Sequence, residues 1–267
     1  MEAFADHQRL FEGCSAVLGV LSDVMGHEPD ELVGGAGAAV DAGAAVVAAH
    51  PGRVGFGGRD GAGGVDEAEG CPAAVHEQHG DVRVAPPAPQ QTPGQRFTVW
   101  SAGCSSGEEP YTLAIVLSEF ARRSPGFQFT IMATDISTKV LDKARDGVYD
   151  EGQIAMIPYE LKQKYFMRSK DRDKKLVRVA PALRSVIQFQ RINLMDQRFP
   201  IPELSLDALF CRNVMIYFDR ETQNKLLGKF CRYLKTGEYL FLGHSETVHG
   251  FDLPLVRIAS TIDRKMP

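Results

Sequence analysis

The sequence predicts an α/β fold built on a parallel sheet with helices on both faces. Two observations carry this. Short β-rich runs alternate with helix-like runs from Phe97 onward. Strands that alternate with helices in this way argue for a parallel sheet covered on both faces. The junctions where a run ends and a helix begins are rich in small residues and acids, as ligand-binding strand ends are.

Each element follows in order. FTVWSAG (97–103) reads as a strand. EPYTLAIVLSEFARR reads as a helix, with Leu113, Ile115, Val116, Leu117 and Phe120 apolar. FQFTIMATDIS is a strand ending at Asp135, and STKVLDKARDGVY a helix capped by Ser137. VIQFQRINL (186–194) and LDALFCRNV (206–214) are the third and fourth strands. DRETQNKLLGKFCRYLKTGEYLFLGHSE then supplies a helix, a turn at Lys-Thr-Gly and a fifth strand.

The part before Pro93 is different. It contains no Lys, Ile, Asn, Tyr or Trp and is dense in Gly, Ala and Val. Glycine costs much entropy to order and alanine buries little area. Residues 8 to 25 can form one short amphipathic helix, and the tract from Gly34 to Gly64 has no period and reads as flexible. We therefore divide the chain into a poorly ordered region at 1–83, a proline-rich linker at 84–96, and a folded domain at 97–267. The bias toward residues with GC-rich codons has two readings, a genuine extension or a frameshifted stretch, and the sequence does not choose between them.

Composition excludes several classes. A net charge of -4 lacks the basic field of a nucleic-acid binder. No apolar run is long enough to span a bilayer, and MEAFADHQRL is not a secretory signal. Five scattered cysteines without a CxxC pair read as free thiols in a reducing cytosol. His76 and His79 near Cys71 are weak metal candidates in an unstructured context, so no metal site is assigned.

The richest stretch is VWSAGCSSGEEPYTLAIVL, Val99 to Leu117. Gly103 and its small neighbours let backbone approach a ligand closely. Glu108 and Glu109 sit where a helix N-terminus favours carboxylates, and Pro110 suits a first helical turn. The lysine of a phosphate loop is absent, and two acids repel a pyrophosphate. They suit a ligand with a cationic part and hydroxyls or amines to donate, and S-adenosylmethionine answers that description. Asp135, at the end of the second strand, is placed to accept ribose hydroxyls by the geometry of dinucleotide folds. GxGxxG is absent, which argues against a nicotinamide enzyme.

WSAGCSSGEEPYTLA, ATDIS, LDKARDGVY, RINLM, FCRNVMIYFD and FLGHSE occur in that order. Together they resemble the chemotaxis receptor methyltransferase family, over about residues 97–267. The resemblance implies a Rossmann-like class I methyltransferase sheet with a small inserted antiparallel β subdomain, at about 164–189. It implies transfer of a methyl group from S-adenosylmethionine to glutamates of chemoreceptors, leaving S-adenosylhomocysteine. The implied cofactor contacts are Ala102, Gly103, Glu108, Asp135, Asn193, Leu194, Arg212 and Asn213, with Tyr217 and Arg212 at the methyl site. The implied partners are the cytoplasmic domains of chemoreceptors, and a cytoplasmic monomer is expected.

The sequence also departs from the family. Its T-x-F-F-R motif, which sends a threonine and an arginine to the cofactor, is not found before Phe97. A non-catalytic remnant that binds cofactor or partner without turnover is therefore the alternative reading. The loop SKDRDKK lacks the glycines of members that grip a receptor tail peptide by strand addition, which favours direct recognition of receptor helices. Five basic residues from Arg168 to Lys175 either face acidic receptor surface or form a solvated loop.

Overall fold

The structure is a computed structural model that describes residues 96–267. The expectations for residues 1–95, including the helix at 8–25, the Gly/Ala tract, the linker and His76, His79 and Cys71, lie outside the described residues.

β1 (Phe97–Ala102), β2 (Phe129–Asp135), β6 (Ile187–Arg191), β7 (Leu206–Cys211) and β8 (Leu234–Leu242) form a parallel array. β9 (Leu255–Ala259) and β10 (Ile262–Lys265) extend it antiparallel, in the order β6-β2-β1-β7-β8-β10-β9. The chain builds outward from β1 to β6 and then crosses to the other side of β1 with β7. The C-terminal ends of β1 and β7 are thus a topological switch point, where open α/β sheets bind ligands.

Strand alternation sorts the core into two layers. Val99, Ile131, Ala133, Ala208, Phe210, Tyr239 and Phe241 face one side. They pack on α1 (Glu108–Arg123) and on Leu141 of α2 (Thr138–Asp146). Trp100, Ala102, Leu209, Cys211, Leu240 and Leu242 face the other, against Leu226, Leu227 and Phe230 of α5 (Arg220–Tyr233). Phe210 and Phe241, partners across β7 and β8, stack with centroids 4.0 Å apart. The buried indole N–H of Trp100 donates to Oγ1 of Thr134 at 2.9 Å, so the largest core side chain leaves no donor unpaired.

A second sheet of β3 (Val148–Asp150), β5 (Leu176–Val179) and β4 (Phe166–Arg168) is antiparallel, with β5 central. The short helix α3 (Tyr159–Tyr165) lies between β3 and β4 in sequence, and α4 (Pro181–Arg184) follows β5. It packs on the side of α1 away from the main sheet, and α1 is therefore buried nearly all round. Glu119 of α1 anchors it, accepting from the Lys164 ammonium and the Tyr165 hydroxyl.

Three expectations change. The helix read to Tyr149 ends at Asp146, because Gly147 takes a left-handed cap at φ 59° and frees Val148–Asp150 to pair with β5. Ser137 occupies the cap position of α2 but its hydroxyl makes no capping bond; its own N–H donates to Oδ1 of Asp135 at 2.9 Å. The Lys-Thr-Gly stretch is not a turn between helix and strand. α5 passes directly into β8, and the stretch lies in a bulge between the pairs Leu206–Leu234 and Ala208–Tyr239. Gly237, at φ 87°, makes that bulge possible.

Candidate active site

A cleft of about 680 Å³ opens at the switch point, within the range of small-molecule sites. Four segments line it, each at a strand end.

The turn after β1 is its floor. The N–H groups of Gly103 and Cys104 both donate to the carbonyl of Thr134 at 2.8 Å, which folds the turn over the end of β2. Gly103 has φ 79°, and a Cβ there would stand 2.5 Å from Cγ2 of Val214. The need for glycine thus comes from the close approach of the β7 turn as well as from any ligand. Ser105, at φ 49°, donates its N–H to Oδ2 of Asp135 at 3.0 Å. Cys104 also lines the cleft, but burial and the nearby Asp135 and Glu109 charges push its thiol up, so it stays protonated.

The acids at the start of α1 differ. Glu108 accepts from Oγ of Ser106 at 2.7 Å. Glu109 reaches deeper, accepting from Oγ of Ser101 at 2.6 Å, with the Arg212 guanidinium 3.9 Å away. Burial raises the Glu109 pKa, against the Ser101 hydrogen bond and Arg212, while Glu246 raises it further. The sequence reading chose Glu108 alone. Both acids line the cleft, and Glu109 is the one enclosed by β1 and β7. The signal for it was the doubled acid, which does not itself say which carboxylate turns inward.

The turn after β7 forms the wall. Arg212 is 7% exposed, and Asn213 adopts φ 59°, unusual for a residue with a side chain. Tyr217 ends a 3-10 turn, Met215–Tyr217, at the cleft mouth with 76% of its surface exposed.

The fourth segment follows β6. Ile192, Asn193, Leu194 and Met195 line the cleft together with Ile136, giving a mostly apolar region beside the end of β2. Oδ1 of Asn193 accepts from the Met195 N–H at 3.0 Å, so its amide group is left to donate. Lys229 of α5 holds this loop from behind through the carbonyls of Leu194 and Asp196.

Of the residues expected at a site, Gly103, Glu108, Asp135, Asn193, Leu194, Arg212, Asn213 and Tyr217 line this one cleft. Ala102 does not. It is buried at the end of β1 in the core against α5, because strand alternation turns it away from the opening. Leu194 does both, nearly buried and lining.

A Rossmann-like sheet with an acidic cleft at its switch point, an acid ending the second strand and an apolar region beside it defines a class I methyltransferase fold. The chain belongs to the family described as CheR methyltransferase, SAM binding domain, whose profile matches residues 77–262. It is 49% identical over 153 residues to the chemotaxis protein methyltransferase of Borreliella burgdorferi, covering 57% of this chain and 53% of that one. It is 43% identical over 150 residues to the protein of that name from Salmonella typhimurium (56% and 51%). The counterpart from Escherichia coli is 42% identical over 150 residues (56% and 52%). The chain spans about half the length of these curated relatives.

Proposed function

We propose that the chain holds S-adenosylmethionine in the switch-point cleft and transfers its methyl group to glutamate side chains on the cytoplasmic domains of chemoreceptors. The products are glutamyl methyl esters and S-adenosylhomocysteine. The observation that carries this reading is the donor set of the cleft. Asp135 has two acceptor positions left after its two backbone bonds, matching the two hydroxyls of a ribose. Glu108 and Glu109 suit an ammonium, Arg212 and Asn213 a carboxylate, and the apolar region of Ile136, Leu194 and Met195 a flat ring beside the Asn193 amide.

Bound there, the cofactor supplies an electrophilic methyl on a sulfonium. The chain's own work is alignment. A receptor glutamate is ionised at neutral pH and is itself the nucleophile, so no side chain need remove a proton. Tyr217, at the mouth, and Arg212, below it, are placed to orient that carboxylate by hydrogen bonds. The names of the relatives support the chemotaxis setting.

The test is transfer of radiolabelled methyl from S-adenosylmethionine to receptor-containing membranes. Base-labile label on receptor that disappears when the receptor glutamates are replaced supports the reading. Binding of S-adenosylhomocysteine with no transfer replaces it with a cofactor-binding remnant, and absence of binding overturns both.

A further inference from the structure

FLGHSE is a motif of the resemblance to which the sequence reading attached no site role, and its last residue is buried beneath the cleft wall. Glu246 is 5% exposed. Its Oε1 accepts from the N–H of Met215 at 2.7 Å, and its Oε2 accepts from the N–H groups of Asn213 at 3.0 Å and Gly243 at 2.6 Å. A carboxylate from beyond β8 thus gathers three backbone donors, two of them in the turn after β7. Asn213 sits at φ 59°, a left-handed conformation that asparagine enters more readily than other residues with a Cβ, and the Glu246 carboxylate holds its N–H there. Gly243 completes the fit, since a Cβ there would come within 2.8 Å of Oε2 of Glu246 and 3.1 Å of the Asn213 nitrogen.

We infer that Glu246 is a positioning residue, whose carboxylate fixes the turn after β7 so that Arg212, Asn213 and Tyr217 face the cleft. Its effect on ligands rests on the reading of that cleft as the cofactor site. Glu246 itself does not line the cleft, so it acts through the turn. The turn serves the amino-acid end of the ligand, whereas Asp135, Asn193 and Leu194 serve the nucleoside end. Loss of Glu246 should therefore be felt selectively.

The experiment compares the full chain with Glu246→Gln. A neutral amide keeps the volume but must aim its NH2 at one of the backbone donors, which releases part of the turn. Two probes are titrated calorimetrically, S-adenosylhomocysteine and adenosine. The expected result is a loss of at least about tenfold for S-adenosylhomocysteine and less than about twofold for adenosine. Amide spectra of the ligand-free, nitrogen-15-labelled proteins are recorded alongside. The Asn213, Met215 and Gly243 signals should move upfield in the variant as their charge-assisted bonds weaken, with Ser105 and Ser137 unmoved. Equal losses for both probes, or unmoved Asn213 and Met215 signals, overturn the proposal. Failure of the unaltered chain to bind either probe sinks the cofactor reading alone, and the amide comparison then decides the role in the turn. If Glu246→Gln does not fold, Glu246→Asp, which keeps the charge on a shorter stem, is read the same way.

Discussion

The backbone N–H of Ser105 donates to Oδ2 of Asp135 at 3.0 Å, joining the turn after β1 to the acid that ends β2. The other oxygen of Asp135 takes the Ser137 N–H at the start of α2. One carboxylate therefore braces two of the four segments that line the cleft, in addition to the ribose role proposed for it. Asp135→Ala should lower the affinity for S-adenosylhomocysteine at least tenfold, since charge-assisted bonds are each worth about 1.5–3 kcal/mol. The fold should persist, because the braced amides lie near solvent. Unchanged affinity in a folded variant would remove Asp135 from the site.

Glu109 gives the cleft a pH dependence of definite sign. Burial raises its pKa in the ligand-free protein, so part of it is protonated in weak acid. A ligand ammonium favours the ionised form. Affinity for S-adenosylhomocysteine should then rise as pH climbs through the raised Glu109 value and fall on acidification. Glu109→Gln should flatten this slope as well as weaken binding. Parallel pH profiles for the two proteins would show that another group controls it.

Gly103→Ala should be costly despite its small size. The new Cβ meets Val214 Cγ2 at 2.5 Å, and φ 79° strains any residue with a side chain. Together these should cost about 1–3 kcal/mol in thermal or denaturant unfolding. Pairing it with Val214→Ala relieves the clash but not the strain, so recovery should be partial. Complete recovery would mean the backbone angle costs nothing there.

Glu119 should matter to the docking of the small sheet on α1. Burial alone would raise its pKa, but the bonds from Lys164 and Tyr165 outweigh that and lower it. A lowered value in the folded state means the stabilisation is present above the ordinary glutamate value of 4.5 and is lost as pH falls through the folded one. Glu119→Gln should cost about 1–2 kcal/mol at neutral pH, since Lys164 and Arg122 are partly solvent-screened. The difference from the unaltered protein should shrink in acid, read from unfolding at the two pH values. A constant difference would assign the cost to packing.

Tyr217 separates catalysis from structure. Its side chain is largely exposed, so Tyr217→Phe should change stability by less than about 0.5 kcal/mol. Cofactor affinity should hold within about threefold while methyl transfer falls at least about tenfold, as expected for a lost orienting hydrogen bond. Undiminished transfer would remove the hydroxyl from the reaction.

The amino-acid order alone made the five parallel strands and their helices legible, because those signals are local. Strands such as Phe97–Ala102 are apolar on both faces, and α1 carries its acids at one end and its arginines at the other. Gly103, Glu108 and Asp135 were legible for a related reason, since strand ends that receive a ligand favour small residues and acids. Asn193, Leu194, Arg212, Asn213 and Tyr217 came only through the resemblance to a known family. Tertiary structure decided what depends on distant partners. Val148–Asp150 is too short to announce itself, and becomes a strand only because β5 is there to pair with it. Lys-Thr-Gly has the composition of a turn, yet pairing with β7 draws it into β8 as a bulge. Which of Glu108 and Glu109 turns inward was set by the Ser101 hydroxyl and the Arg212 guanidinium, the latter more than a hundred residues away along the chain. Glu246 ends a recognisable motif, FLGHSE, but nothing local says what it does. Its three donors come from β7 and β8 turns that meet only when the sheet is assembled, and a buried charge is tolerated there only because all three are in place.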